Sequence, residues 1–124
     1  MARCEQGYLC EVCREEVASI SDSDLYLRFV IGEIPNSRLL SAPERHIRCN
    51  PVLAQFIEHP DFTAVTIEGD FDKRLFPAAD TQQRTSVVTR GWLRLQELAA
   101  QPQTLPLSQY PLEEFRQTAS QRVS

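Results

Sequence analysis

Cys10 and Cys13 stand two residues apart, and further along the chain so do His46 and Cys49. Thiolate and imidazole are the donors that a tetrahedral zinc ion takes, and zinc has no d-electron preference that would ask for any other geometry. C-x-x-C curls into a tight knuckle that points both sulfurs at one ion. H-x-x-C does the same at the entrance to a helix. The expected site is therefore one zinc ion held by Cys10, Cys13, His46 and Cys49. Four protein donors leave no open position for substrate or water, so the zinc reads as structural.

The elements around the second pair fit that role. Asn50 is a good N-cap, and Pro51 suits the first helical position, where its missing N–H costs nothing. Val52, Leu53, Phe56 and Ile57 then fall on one helical face, which predicts a short helix over 51–58 that His59-Pro60 ends. Cys49 lies at the positive end of that helix, where a thiolate is favoured.

The arrangement over residues 8–59 resembles the treble-clef group of zinc fingers, in which a knuckle supplies two ligands, a hairpin follows and the start of a helix supplies the other two. The resemblance implies Cys10 and Cys13 as knuckle ligands and His46 and Cys49 as helix-side ligands. Two departures are visible: Arg14 stands where a glycine often follows the knuckle, and the second pair is His-Cys rather than Cys-Cys. The group hosts many functions, so the fold implies none of them.

Other readings of the cysteines stay open. Free cysteines also serve as small buried hydrophobes. A redox C-x-x-C normally sits in a βαβ pattern, which is not seen around Cys10 and Cys13. Cys4 is left over, as a free thiol, a buried one or an alternative ligand to His46. Met1–Gly7 carries no apolar core of a signal peptide, and a reducing cytoplasm is the environment that keeps such thiols available for metal.

A chain of 124 residues, 42% hydrophobic and 24% charged, suits one domain with one core. The net charge is −4 and Lys73 is the single lysine, which argues against a nucleic-acid surface. Arg38, Arg45 and Arg48 nevertheless cluster around His46. They can contact a partner protein. Alternatively Arg45 and Arg48, with Arg14, offset the negative charge of three thiolates and one imidazole on Zn²⁺.

The expected fold class is α+β: a small zinc-stabilised domain with a knuckle, antiparallel strands, a short helix after the second ligand pair and a longer C-terminal helix. Ser21–Asp24 reads as a turn. Leu25–Ile31 reads as a central strand, because Leu25, Leu27, Phe29 and Ile31 alternate with Tyr26, Arg28 and Val30. Gly32–Pro43 reads as loop. Thr63–Glu68 and Phe71–Phe76, joined at Gly69-Asp70, read as a hairpin. Asp80-Thr-Gln-Gln83 reads as a capping box opening a helix with Val88, Trp92, Leu95, Leu98 and Ala99 on one stripe. Gly91 inside it costs about 1 kcal/mol relative to alanine, unless a neighbour needs the space. The composition changes at Gln101. A single zinc-binding domain is expected over 1–100 and a Pro/Gln/Ser-rich tail over 101–124, with Tyr110, Leu112 and Phe115 the residues able to dock.

No phosphate loop, nucleophile elbow, H-E-x-x-H or zinc-deaminase signature is present. Glu68, Asp70 and Asp72 alternate, but three acids in a turn are usually solvated. Three functions follow. The first is a non-catalytic cytoplasmic interaction module with structural zinc and a protein partner. The second is a nucleic-acid-associated zinc finger. The third is a small metal- or thiol-dependent enzyme, for instance one using Cys4 and His46.

Overall fold

The computed structural model describes residues 8–17, 19–39, 41–100 and 105–115. Two short strands, β1 (Tyr8–Leu9) and β2 (Glu16–Val17), pair antiparallel with Tyr8 opposite Val17 and flank the Cys10–Cys13 turn. The α-helices α1 (Asp24–Val30), α2 (Pro51–Ala54) and α3 (Ala78–Ala100) follow, with short 3₁₀ turns between them. The described residues make a small helix-rich domain. None of its helices is long and apolar enough to cross a membrane.

The segment expected as a central strand is α1. An apolar run of this length does not by its period distinguish a buried strand from a buried helix. Its ends decide the matter. Ser23 is the N-cap, and its hydroxyl accepts the Tyr26 N–H. At the other end Gly32 takes a φ of +83°, its N–H bonds the Phe29 carbonyl, and the Glu33 N–H reaches back to Arg28. That is a Schellman stop, which glycine enters without strain. All of α1 except Arg28 is buried, so both apolar faces are used.

Residues 63–68 are irregular, and the expected hairpin is absent. Gly69 makes the turn at φ +106°, and Lys73–Leu75 is a 3₁₀ turn capped by Asp72, whose carboxylate accepts the Arg74 N–H. An isolated two-stranded ribbon is marginal in water. Here the buried Gln55 amide takes over the hydrogen bonding instead: it donates to the carbonyls of Val52 and Phe71 and accepts the Lys73 N–H.

The helix α2 has four residues rather than the expected eight. Leu53, Ala54, Phe56 and Ile57 are buried, but Val52 turns outward. The Asn50 side chain makes no cap bond and donates to Asp24 at 2.9 Å. The helix α3 begins at Ala78, just after Pro77, and Asp80 lies within its first turn rather than at its cap. Val88, Gly91, Trp92 and Leu95 face the core; Leu98 packs partly and Ala99 is exposed, because the helix runs past the core. A Cβ on Gly91 would lie 2.5 Å from Ile31 Cγ2 and 3.1 Å from Leu27 Cδ1. The missing side chain is thus what lets α3 lie against α1.

Residues 105–115 run back over this pair. Tyr110 meets the rings of Tyr26 and Phe29 at about 6 Å. Pro111 is buried, the Leu112 N–H donates to the Val30 carbonyl, and Arg94 holds the carbonyls of Gln109 and Tyr110.

Candidate metal centre

The donor atoms of Cys10, Cys13, His46 and Cys49 all lie within 4.8 Å of one another. No disulfide joins the three cysteines. This Cys₃His cluster can hold one metal ion, and it is the set expected from the spacing. Cys4 lies outside the described residues.

The knuckle is built by backbone. The Cys10 N–H bonds the Glu15 carbonyl, the Arg14 N–H bonds the Cys10 carbonyl, and the Val12 N–H donates to Cys10 Sγ at 3.3 Å. Arg14 has a φ of +68°, the left-handed conformation that explains why a glycine often stands there. The second pair arrives on a loop tied to α1 rather than on a hairpin. Ser23 bridges His46 antiparallel, and the Asp24 N–H bonds the Arg45 carbonyl. Glu44 is buried against the first turn of α1, accepting the Ser23 hydroxyl at 2.8 Å and the Arg45 N–H at 3.0 Å. Its own carbonyl accepts the Glu11 N–H, which joins the two ligand loops directly. Cys49 ends the 3₁₀ turn Ile47–Cys49 and therefore precedes α2 rather than belonging to it.

His46 is oriented for coordination. Its Nε2 lies 2.9 Å from the Glu16 carbonyl of β2, and a carbonyl only accepts, so Nε2 carries the proton. Nδ1 then presents its lone pair to the cluster, 3.3 Å from Cys13 Sγ and 3.8 Å from Cys49 Sγ. Zinc bonds of about 2.1–2.3 Å set tetrahedral donor–donor edges of about 3.3–3.8 Å. A carbonyl behind a ligating imidazole is the usual device that fixes its tautomer and ring plane.

The electrostatics ask for a cation. Burial pushes the Cys10 thiol up, but hydrogen bonds from the Cys13, His46 and Val12 backbones and the His46 ring outweigh it and bring it down to about 6. Burial, then the neighbouring Cys10 and Cys13 sulfurs, push Cys49 up to about 12. Burial lowers His46, while the Glu16 carbonyl, Cys10 and Asp22 raise it and prevail. Cys10 is thus drawn toward the thiolate while its neighbour Cys49 is held as the thiol. A divalent cation among them removes the conflict, since a coordinating thiol is deprotonated outright. The donor set therefore fits one divalent metal ion.

The arginines expected around the site divide. Arg45 reaches Glu11 at 3.2 Å and the fully buried Asp24 at 3.6 Å. Arg48 donates to the Thr63 carbonyl and lies 4.1 Å above the Phe62 ring. Arg38 is exposed. Of the alternating acids, Asp72 is spent on its cap and on Arg74, which together hold its carboxyl down at about 2; Glu68 and Asp70 are exposed. The residues missed from the sequence are Ser23, Asp24 and Glu44, and Ser23 preceding an acid was the legible cap signal.

No family model matches this chain, and neither a curated protein nor a solved structure does.

Proposed function

We propose that this protein is a zinc-binding interaction module whose metal is structural. The carrying observation is the convergence of four protein donors with His46 Nδ1 aimed among the sulfurs and Nε2 bonded to Glu16. Such a set fills the tetrahedron, so the ion supplies folding free energy rather than a Lewis-acid position. The knuckle and the pair ahead of α2 support a treble-clef-like ligand arrangement, with α1 where that group carries a hairpin.

A protein partner is the reading favoured by charge and surface. The net charge of −4 opposes nucleic acid. Arg45 and Arg48 are engaged within the fold and brace the loop, which leaves Arg38 as the guanidinium of the three best placed for a partner carboxylate. Phe71 and Leu75 are 63% and 66% exposed, and large exposed apolar side chains close in sequence support association.

Metal analysis and cobalt substitution test the site. One zinc per chain is expected, and the cobalt form should show the intense visible bands of a four-coordinate, three-thiolate centre. A chain that purifies folded and metal-free, or a weak five-coordinate cobalt spectrum, overturns the structural reading. Submicromolar binding to single-stranded RNA with a steep salt dependence would replace the protein partner by nucleic acid.

A further inference from the structure

The three thiols of the cluster are not equally sheltered. Cys10 is fully buried, Cys49 is half-buried and Cys13 is exposed. A concavity of about 440 Å³ opens onto the cluster, lined by Cys13, Cys49 and His46 but not by Cys10. A reagent entering it meets Cys13 first and finds Cys49 beside it, with both sulfurs within 4.8 Å of each other and of the other donors. Glu15, Glu16 and Asp22 line the same opening and outnumber its one arginine, Arg48. Their charge disfavours anionic reactants and leaves small neutral ones unhindered.

We propose that Cys13 is an oxidation site and Cys49 its resolving thiol, so that hydrogen peroxide entering this concavity converts the zinc centre into a Cys13–Cys49 disulfide and releases the metal. This rests on the zinc reading above. In the first step the Cys13 sulfur attacks one peroxide oxygen and the O–O bond breaks. The sulfur loses two electrons and becomes a sulfenic acid, and hydroxide leaves and takes a proton to become water. In the second step the Cys49 thiolate attacks the Cys13 sulfur, the S–O bond breaks, and a second hydroxide leaves. One peroxide is reduced to two waters, two thiolates become one disulfide, and the dication, left with Cys10 and His46, dissociates. Cys10 stays out of the exchange because it is covered and its sulfur holds the Val12 N–H.

The test uses zinc-loaded full chain carrying Cys4→Ser, which removes the one thiol outside the cluster. Hydrogen peroxide is added in limiting amounts, zinc release is followed with a chromogenic chelator, and the product is mapped by mass spectrometry without reduction. About one zinc should appear per peroxide consumed, with a Cys13–Cys49 disulfide, and dithiothreitol with zinc should restore the starting state. In a parallel arm on the same protein, limiting N-ethylmaleimide should label Cys13 at least about tenfold faster than Cys10, a readout that needs no cluster mutant to fold. Zinc retained after stoichiometric peroxide, a Cys10–Cys13 disulfide, or equal labelling of Cys10 and Cys13 overturns the proposal. Protein that holds no zinc before oxidation sinks the zinc reading itself, whereas zinc that is present and unmoved by peroxide sinks only this one.

Discussion

The end of the molecule that carries Cys10, Cys13, His46 and Cys49 and the end where α3 lies on α1 are held by different forces. At the first, strands of two residues flank a knuckle, Leu9 and Val12 face solvent, and buried Asp24 and Glu44 tie one ligand loop to α1. Val17 and Ile47 are buried behind the ligands, but the ligands themselves are positioned by atoms that must meet particular partners. At the second, Leu27, Val30, Ile31, Val88, Trp92 and Leu95 are buried, and the contact depends on the absence of one Cβ at Gly91. Volume and shape decide that end. A small domain can thus extend one core, through Ile47, to an end that a metal closes.

Removing the metal should break the comparison most widely. Structural zinc contributes about 10–16 kcal/mol of apparent binding free energy, against about 5–15 kcal/mol for the whole stability of a domain. Chelation, or Cys49→Ser, should abolish amide protection over 8–17 and 44–50 while the α3 amides from Val88 to Leu95 keep part of theirs. Hydrogen exchange reads this directly. Equal loss in α3 would mean that the two ends are one cooperative unit.

Next in size is the segment 105–115. Ending the chain at Ala100 strips Tyr110, Pro111 and Leu112 from α1, and fully buried side chains of this size are worth about 1.5–3 kcal/mol each. With Tyr110 and Leu112 only half-buried, a loss of about 2–4 kcal/mol is expected, seen as a Tm drop of more than about 5 °C. An unchanged Tm would support a domain boundary at Gln101.

Gly91→Ala probes the packed end alone. The new methyl meets Ile31 and Leu27 below van der Waals distance, and overpacking of this kind costs about 1–3 kcal/mol. Urea unfolding should show that loss while zinc stoichiometry stays at one, and a stabilised variant would show that α3 can slide.

Arg14→Gly probes the knuckle alone and should act in the opposite direction. A left-handed residue with a side chain costs about 1–2 kcal/mol, and glycine returns about 0.4–1 kcal/mol through the unfolded chain. A net gain of about 0.5–1 kcal/mol is expected in the melt of the zinc-loaded protein. A loss would show that the Arg14 side chain contributes more than its backbone strain takes away.

The donor set was legible because its signal is local: residue type and a spacing of two. So was the buried stripe of α3 at Val88, Trp92 and Leu95, which needs only a period. The identity of residues 24–30 was not, since Leu25–Ile31 satisfies both a strand and a buried helix, and the deciding marks were Ser23 and Gly32 at its ends. The hairpin over 63–76 failed for a related reason. Val65 and Ile67 offered one apolar face, and no further strand stands beside it among the described residues.

The sequence by itself determined which atoms can bind metal, where the long helix buries its face, and that position 91 carries no side chain. Tertiary structure alone decided how those atoms are aimed. His46 presents Nδ1 because the Glu16 carbonyl, 30 residues away, takes Nε2–H. The α1 cap is completed by Glu44, 21 residues beyond Ser23, and the loop of 71–73 is held by the Gln55 amide. Each of these is a hydrogen bond between groups distant in sequence. Its donor and acceptor can be read from composition, but their meeting depends on the path of the chain between them.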